Sequence, residues 1–191
     1  MSKKFLLICL LAFITNFSYS QFYKSLLPSP EFTAALEKII LDFREDYKNI
    51  QGALLEKGEA DMYESLIKIP GAEDCRILRF HSAKDTTAAW QATIYSGDDY
   101  DEAVKAYQNI FRMVKKTQIK WIDRSNIGFA GQLESPKEEI RFTTSTLLLQ
   151  SEDYRYSNFE VQVELLSTFG GFKVQLSLHK KINERPMISD K

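Results

Sequence analysis

The chain has 191 residues, with 25 Lys+Arg against 26 Asp+Glu, 44% apolar residues, 8 Gly and 5 Pro. That apolar fraction excludes a disordered chain, the scarcity of Gly and Pro excludes collagen-like or low-complexity sequence, and the near-neutral balance lacks the basic excess of a nucleic-acid binder. Two cysteines, Cys9 and Cys75, are too few for a disulfide scaffold.

The first segment reads as an address. Lys3 and Lys4 precede an apolar run over residues 5–14, and Ser18-Tyr19-Ser20 closes the stretch. This basic, apolar and small-x-small order is that of a secretory signal peptide over residues 1–20, with cleavage expected between Ser20 and Gln21. The run is about half the ~20 apolar residues that a membrane-spanning helix needs. Cys9 follows Ile8 inside that run, so it does not fit a lipidation site. The expected mature chain has 171 residues, 23 basic against 26 acidic, a charge of −3 and the single thiol Cys75. It has no integral membrane span, and its expected place is the periplasm or the medium outside the cell. A lone thiol behaves as a small hydrophobe and is expected to be buried.

The first helix is predicted at Ser29-Pro30-Glu31, with Ser as N-cap and Pro at the first helical position. Phe32, Leu36, Ile39, Ile40, Phe43, Tyr47 and Ile50 recur at three- and four-residue spacing as one apolar stripe, and Gly52 offers a stop. Strands are predicted over 62–69 and 75–82, separated by the turn cluster 70–74, and a third strand covers 87–95, where apolar and polar residues alternate. A second helix opens with Asp99 and Glu102 in capping-box spacing. It carries Tyr100, Ala103, Val104, Tyr107, Ile110, Phe111 and Val114 as its stripe and closes on Lys115 and Lys116.

Beyond it, strands are predicted over 128–134, 140–150 and 158–168, followed by a last strand whose apolar parity is Phe172, Val174, Leu176 and Leu178. Gly170-Gly171 suits a two-residue type I′ turn, which would pair Phe169 with Phe172, Leu165 with Leu176 and Val163 with Leu178. Phe32, Ala35, Leu36, Ile39 and Phe43 match Tyr100, Ala103, Val104, Tyr107 and Phe111 at an offset of 68, which raises an internal duplication of a helix, hairpin and strand unit. The expectation is one α+β domain over 21–182, with candidate halves 29–96 and 98–182 and a tail over 183–191. Its antiparallel sheet has about seven strands, with two amphipathic helices on one face.

The chemistry-bearing residues are sparse. The chain contains no G-x-S-x-G, H-E-x-x-H, Walker loop or G-x-G-x-x-G. Cys75 and His81 share a strand parity but would stand roughly 20 Å apart, too far for one metal ion. His179 belongs to the polar parity of the last strand, where a solvated sheet-face histidine is expected. The acids at 98, 99, 101 and 102 read as helix-start residues rather than a calcium loop. No cofactor and no metal site is expected. The best contact surface is the loop 151–158, because Tyr154, Arg155 and Tyr156 are residue types enriched at interface hot spots. Trp121-Ile122 reads as a continuation of the core. The functional expectation is a non-catalytic exported binding module for a protein or small ligand. The alternatives are an envelope hydrolase with a dispersed, motif-free active site, and a structural or assembly factor of the envelope.

Overall fold

A computed structural model of the chain describes residues 27–81, 87–121 and 123–181. The expected leader with its Ser20/Gln21 junction, Ile122 and the tail 183–191 lie outside the described residues.

Helix α1 (Pro30–Asp42) begins at its predicted cap: Ser29 Oγ accepts from the Phe32 N–H at 3.2 Å, and Pro30 opens the helix. Phe32, Leu36, Ile39 and Ile40 are fully buried. The periodic stripe runs on through Tyr47 and Ile50, yet the helix ends at Asp42 and continues only as a 3-10 turn, Phe43–Glu45. The Asp42 carboxylate turns to Asn49, accepting from its backbone N–H at 3.1 Å and its side-chain amide at 2.6 Å. Asp46 and Tyr47 then take left-handed φ values of 52° and 60°, and the chain reverses before Gly52. A left-handed L-residue costs roughly 1–2 kcal/mol. Burial of the whole Tyr47 ring, with its hydroxyl donating to the Leu178 carbonyl at 2.8 Å, offsets that cost.

Four strands follow as a meander: β1 (Gln51–Glu56), β2 (Ala60–Ser65), β3 (Asp74–Phe80) and β4 (Ala88–Gly97). Helix α2 (Tyr100–Lys116) starts where Asp99 accepts from the Glu102 N–H at 3.0 Å and ends on Lys115 and Lys116, opposite the negative pole of its dipole. After it come the short β5 (Ile119–Lys120) and β6 (Asn126–Ile127), which pair only with each other, and a second meander. This comprises β7 (Phe129–Gly131), β8 (Phe142–Leu149), β9 (Phe159–Thr168) and β10 (Gly171–Lys180). The sheet runs β1-β2-β3-β4-β10-β9-β8-β7 and is antiparallel throughout. Among the described residues it has eight strands rather than about seven. The added one is β1, which begins beside Gly52, the expected helix stop, and runs over residues for which no strand was expected.

Register explains the core. Ile77, Trp90, Leu178, Val161 and Leu147 are successive cross-strand partners over five strands, and Cys75, Ala92, Leu176, Val163 and Ser145 form the next row. All of these side chains except Ser145 join the buried faces of both helices in a single apolar cluster. Each large side chain so buried contributes ~1.5–3 kcal/mol. On the opposite parity one row is polar throughout: Glu64, Arg76, Gln91, Ser177, Gln162 and Thr146 are partners in turn over six strands.

The last hairpin departs from the expected register by two residues. Thr168 faces Gly171, Leu165 faces Val174, Val163 faces Leu176 and Val161 faces Leu178. An even shift keeps every side chain on its face, so the apolar pattern is satisfied equally well. The choice falls to Gly171. Its φ is 126°, and a Cβ there would lie 2.4 Å from the Gly97 carbonyl oxygen, so this glycine is spent on a close approach to the end of β4. The turn moves to Phe169-Gly170, and Phe169 stands at the tip, fully exposed.

Candidate functional site

Beside the β8 end of the sheet, two loops meet. One joins β5 to β6. In it the Trp121 N–H donates to the Ser125 carbonyl at 2.7 Å, and Arg124 takes a left-handed φ of 71°. The Asp123 carboxylate closes the turn from within, accepting from the Ser125 N–H at 2.8 Å and from its hydroxyl at 2.6 Å. Those two hydrogen bonds hold the Asp123 carboxyl below the usual carboxylate range. The other loop leaves β8, and its first residue is tied to the segment between β6 and β7, where the Gln150 N–H donates to the Gly128 carbonyl at 2.9 Å. It ends in a 3-10 turn, Tyr154–Tyr156, capped by Asp153.

Between the loops lies a cleft of about 620 Å³. Trp121, Asp123, Ser125, Asn126 and Ile127 form one wall, and Gln150, Ser151, Glu152, Asp153 and Arg155 the other. The Arg155 guanidinium grips Asp153 in a fork, Nε at 2.7 and 3.0 Å from the two carboxylate oxygens and Nη2 at 2.5 Å. Hydrogen bonding to Arg155 lowers the Asp153 carboxyl, and the same contact raises the guanidinium.

Beneath the cleft sits a cluster of rings. Tyr156 meets Trp121 edge to face at 4.7 Å and Phe159 at 6.3 Å, and lies tilted on Phe43 at 5.9 Å. Its hydroxyl donates to the Leu41 carbonyl at 3.5 Å, which ties the loop to the end of α1. Burial pushes the Tyr156 phenol up. One side of the Trp121 indole is thus braced by Tyr156, while another part of it reaches the cleft.

The three loop residues singled out in the sequence are therefore split. Tyr154 is 82% exposed on the rim, Arg155 lines the cleft, and Tyr156 is 4% exposed beneath it. Asp123, Ser125, Asn126 and Gln150 come to the same site from outside that loop. Asp123-x-Ser125 was a readable signal for a tight turn, since a short acid commonly accepts from the backbone two residues on. Nothing in the sequence places that turn against residue 150.

The remaining candidates stand elsewhere. Cys75 is a buried free thiol in the core row, pushed up to about 11 by desolvation. His81 pairs with Asp61 at 3.4 Å. His179 lies on the polar sheet face beside Glu160 at 3.8 Å, with a side chain only 14% exposed rather than freely solvated. Burial raises the nearby Glu164 carboxyl. Among the described residues, no group of three or more His, Cys, Asp or Glu is placed to hold a metal ion, and no helix is long and apolar enough to cross a membrane. Comparison with protein-family models, with curated proteins and with solved structures found no match.

Proposed function

We propose that the chain is an exported, non-catalytic binding module whose ligand or partner sits at the cleft lined by Trp121, Asp123, Ser125, Asn126 and Ile127 and by the 150–155 loop. The observation that carries this reading is a cleft of about 620 Å³ whose lining segments are tied internally: Asp123 bonded to Ser125 on one side, a capped 3-10 turn on the other, and Tyr156 packed on Trp121. That volume falls within the roughly 300–1,000 Å³ of small-molecule sites. Walls held in place before binding lose little freedom when a ligand arrives. Export rests on the three-region pattern of residues 1–20. Two measurements test the proposal. Amino-terminal sequencing of the protein recovered outside the cytoplasm should begin at Gln21. A thermal-shift screen of small ligands should yield binders whose shift is reduced in Arg155→Ala. Hydrolysis of an ester, peptide or glycoside abolished by one point substitution would refute the non-catalytic reading in favour of an envelope hydrolase.

We also infer that the chain descends from a duplicated unit of one helix followed by strands. Each helix precedes a four-strand meander, and the last strands of the two meanders, β4 and β10, pair antiparallel at the centre of the sheet. Fragments 21–97 and 98–191 produced together should then reassemble into one cooperative fold; fragments that never associate would count against two self-contained halves.

A further inference from the structure

We propose that the cleft takes a neutral, hydroxyl-rich ligand, a short saccharide; this rests on the binding-module reading above and names its ligand class. Eight of the ten lining residues carry polar or charged side chains, which a lipid-like ligand would cover without pairing. An anion such as phosphate would meet three carboxylates, Asp123, Glu152 and Asp153, around a single guanidinium already engaged by Asp153. A polyamine would want those carboxylates free. Two of the three are engaged, Asp123 by the Ser125 N–H and hydroxyl and Asp153 by Arg155, which leaves Glu152 as the one carboxylate for a polycation to pair with.

What the cleft does offer is donors and acceptors side by side. An asparagine or glutamine amide carries two N–H donors and an oxygen acceptor, and Asn126 and Gln150 both line the cleft; the Ser125 hydroxyl, which gives its proton to Asp123, and the Ser151 hydroxyl, which accepts from the Asp153 N–H, are already engaged within the loops. A sugar hydroxyl both donates and accepts, so neighbouring hydroxyls on a ring match planar groups of this kind. The Trp121 indole and Ile127 supply the small apolar patch that a sugar's C–H face needs. Asn126 comes from β6 and Gln150 from the residue after β8, so a saccharide held by both would contact both segments that line the cleft.

The test is titration calorimetry and tryptophan fluorescence on the purified protein with glucose, maltose, cellobiose, mannobiose and chitobiose. Spermidine, inorganic phosphate and laurate serve as the competing chemistries. At least one saccharide should bind at one site per chain and change the Trp121 emission. Asn126→Ala and Gln150→Ala should each weaken it by about tenfold, the loss of one hydrogen bond to a ligand, with unchanged melting temperature. Failure of every saccharide to bind, or binding that both variants leave intact, overturns the proposal. If spermidine, phosphate or laurate binds instead and the same variants weaken it, the saccharide class falls while the binding-module reading stands.

Discussion

The phenol of Tyr107 on α2 and the hydroxyl of Ser145 on β8 are 2.6 Å apart, both buried, and they share a third partner. The Glu134 backbone N–H donates to Ser145 Oγ at 2.8 Å, and its carbonyl accepts from Tyr107 at 3.3 Å. A hydroxyl among apolar residues, in the same row as Leu176 and Val163, is tolerable only because it is satisfied twice. The pair thus fixes how α2 sits over the sheet and where the connection before β8 is anchored. Tyr107→Phe should cost about 1–2 kcal/mol and Ser145→Ala at least as much, since the latter leaves the Glu134 N–H without its acceptor. Because they share one network, the double variant should cost less than the two added together, read from urea denaturation midpoints.

Two adjacent glycines should answer oppositely to the same change. A Cβ at Gly170 meets nothing within 4 Å, so Gly170→Ala should alter stability by no more than ~0.5 kcal/mol. At Gly171 the φ of 126° suits no L-residue, and the added Cβ would strike the Gly97 carbonyl and the Asp98 Cα. Gly171→Ala should therefore cost ~3 kcal/mol or more, combining backbone strain with a clash against rigid backbone. Equal thermal shifts for the two variants would mean that the turn is instead built on Gly170-Gly171.

The contrast between those glycines shows where local pattern stops being informative. The caps at Ser29 and Asp99 were legible because a cap is chemistry within three residues, and the apolar parity of β9 and β10 was legible because it is set by a single buried face. Whether the turn is Gly170-Gly171 or Phe169-Gly170 depends on Gly97, which lies far off in sequence. The end of α1 hid for a related reason: Tyr47 and Ile50 keep helical spacing, but a carboxylate bond from Asp42 to Asn49 and two left-handed residues redirect the chain. At the cleft, composition marked the Tyr154–Tyr156 segment. Only the rings of Phe43, Trp121 and Phe159 decide that Tyr156 turns inward while Tyr154 turns out.

Cys75 should make itself felt at alkaline pH. Burial raises its thiol from 9.0 to about 11, so between those values the unfolded chain releases a proton that the folded chain retains. Its contribution is fully present below pH 9 and is lost as pH rises through about 11. The buried Tyr47 and Tyr107 phenols are also raised by desolvation and add to the same alkaline loss. Cys75→Ala should accordingly flatten the fall in melting temperature between pH 9 and 11 relative to the parent protein, although the smaller side chain lowers the plateau. A thiol reagent at pH 8 should label the parent only as fast as the protein opens. Rapid labelling under native conditions, or an unchanged alkaline slope in the variant, would contradict a buried neutral thiol.

The two tyrosines that flank Arg155 should separate scaffold from surface. Tyr156 packs edge to face on Trp121 and touches Phe43 and Phe159, so Tyr156→Ala removes a buried ring and should cost ~3–5 kcal/mol. It should also loosen the Trp121 wall of the cleft and shift its fluorescence. Tyr154 is 82% exposed, so Tyr154→Ala should stay within ~0.5 kcal/mol of the parent, with any effect confined to binding. Arg155→Ala breaks the ion pair and should leave stability little changed while freeing the Asp153 carboxylate, whose pKa should then rise toward its ordinary value. Urea midpoints for the three variants decide the matter. If Tyr154→Ala proves as damaging as Tyr156→Ala, the loop is packed against the sheet through its outer ring, and the wall of the cleft is not the surface described above.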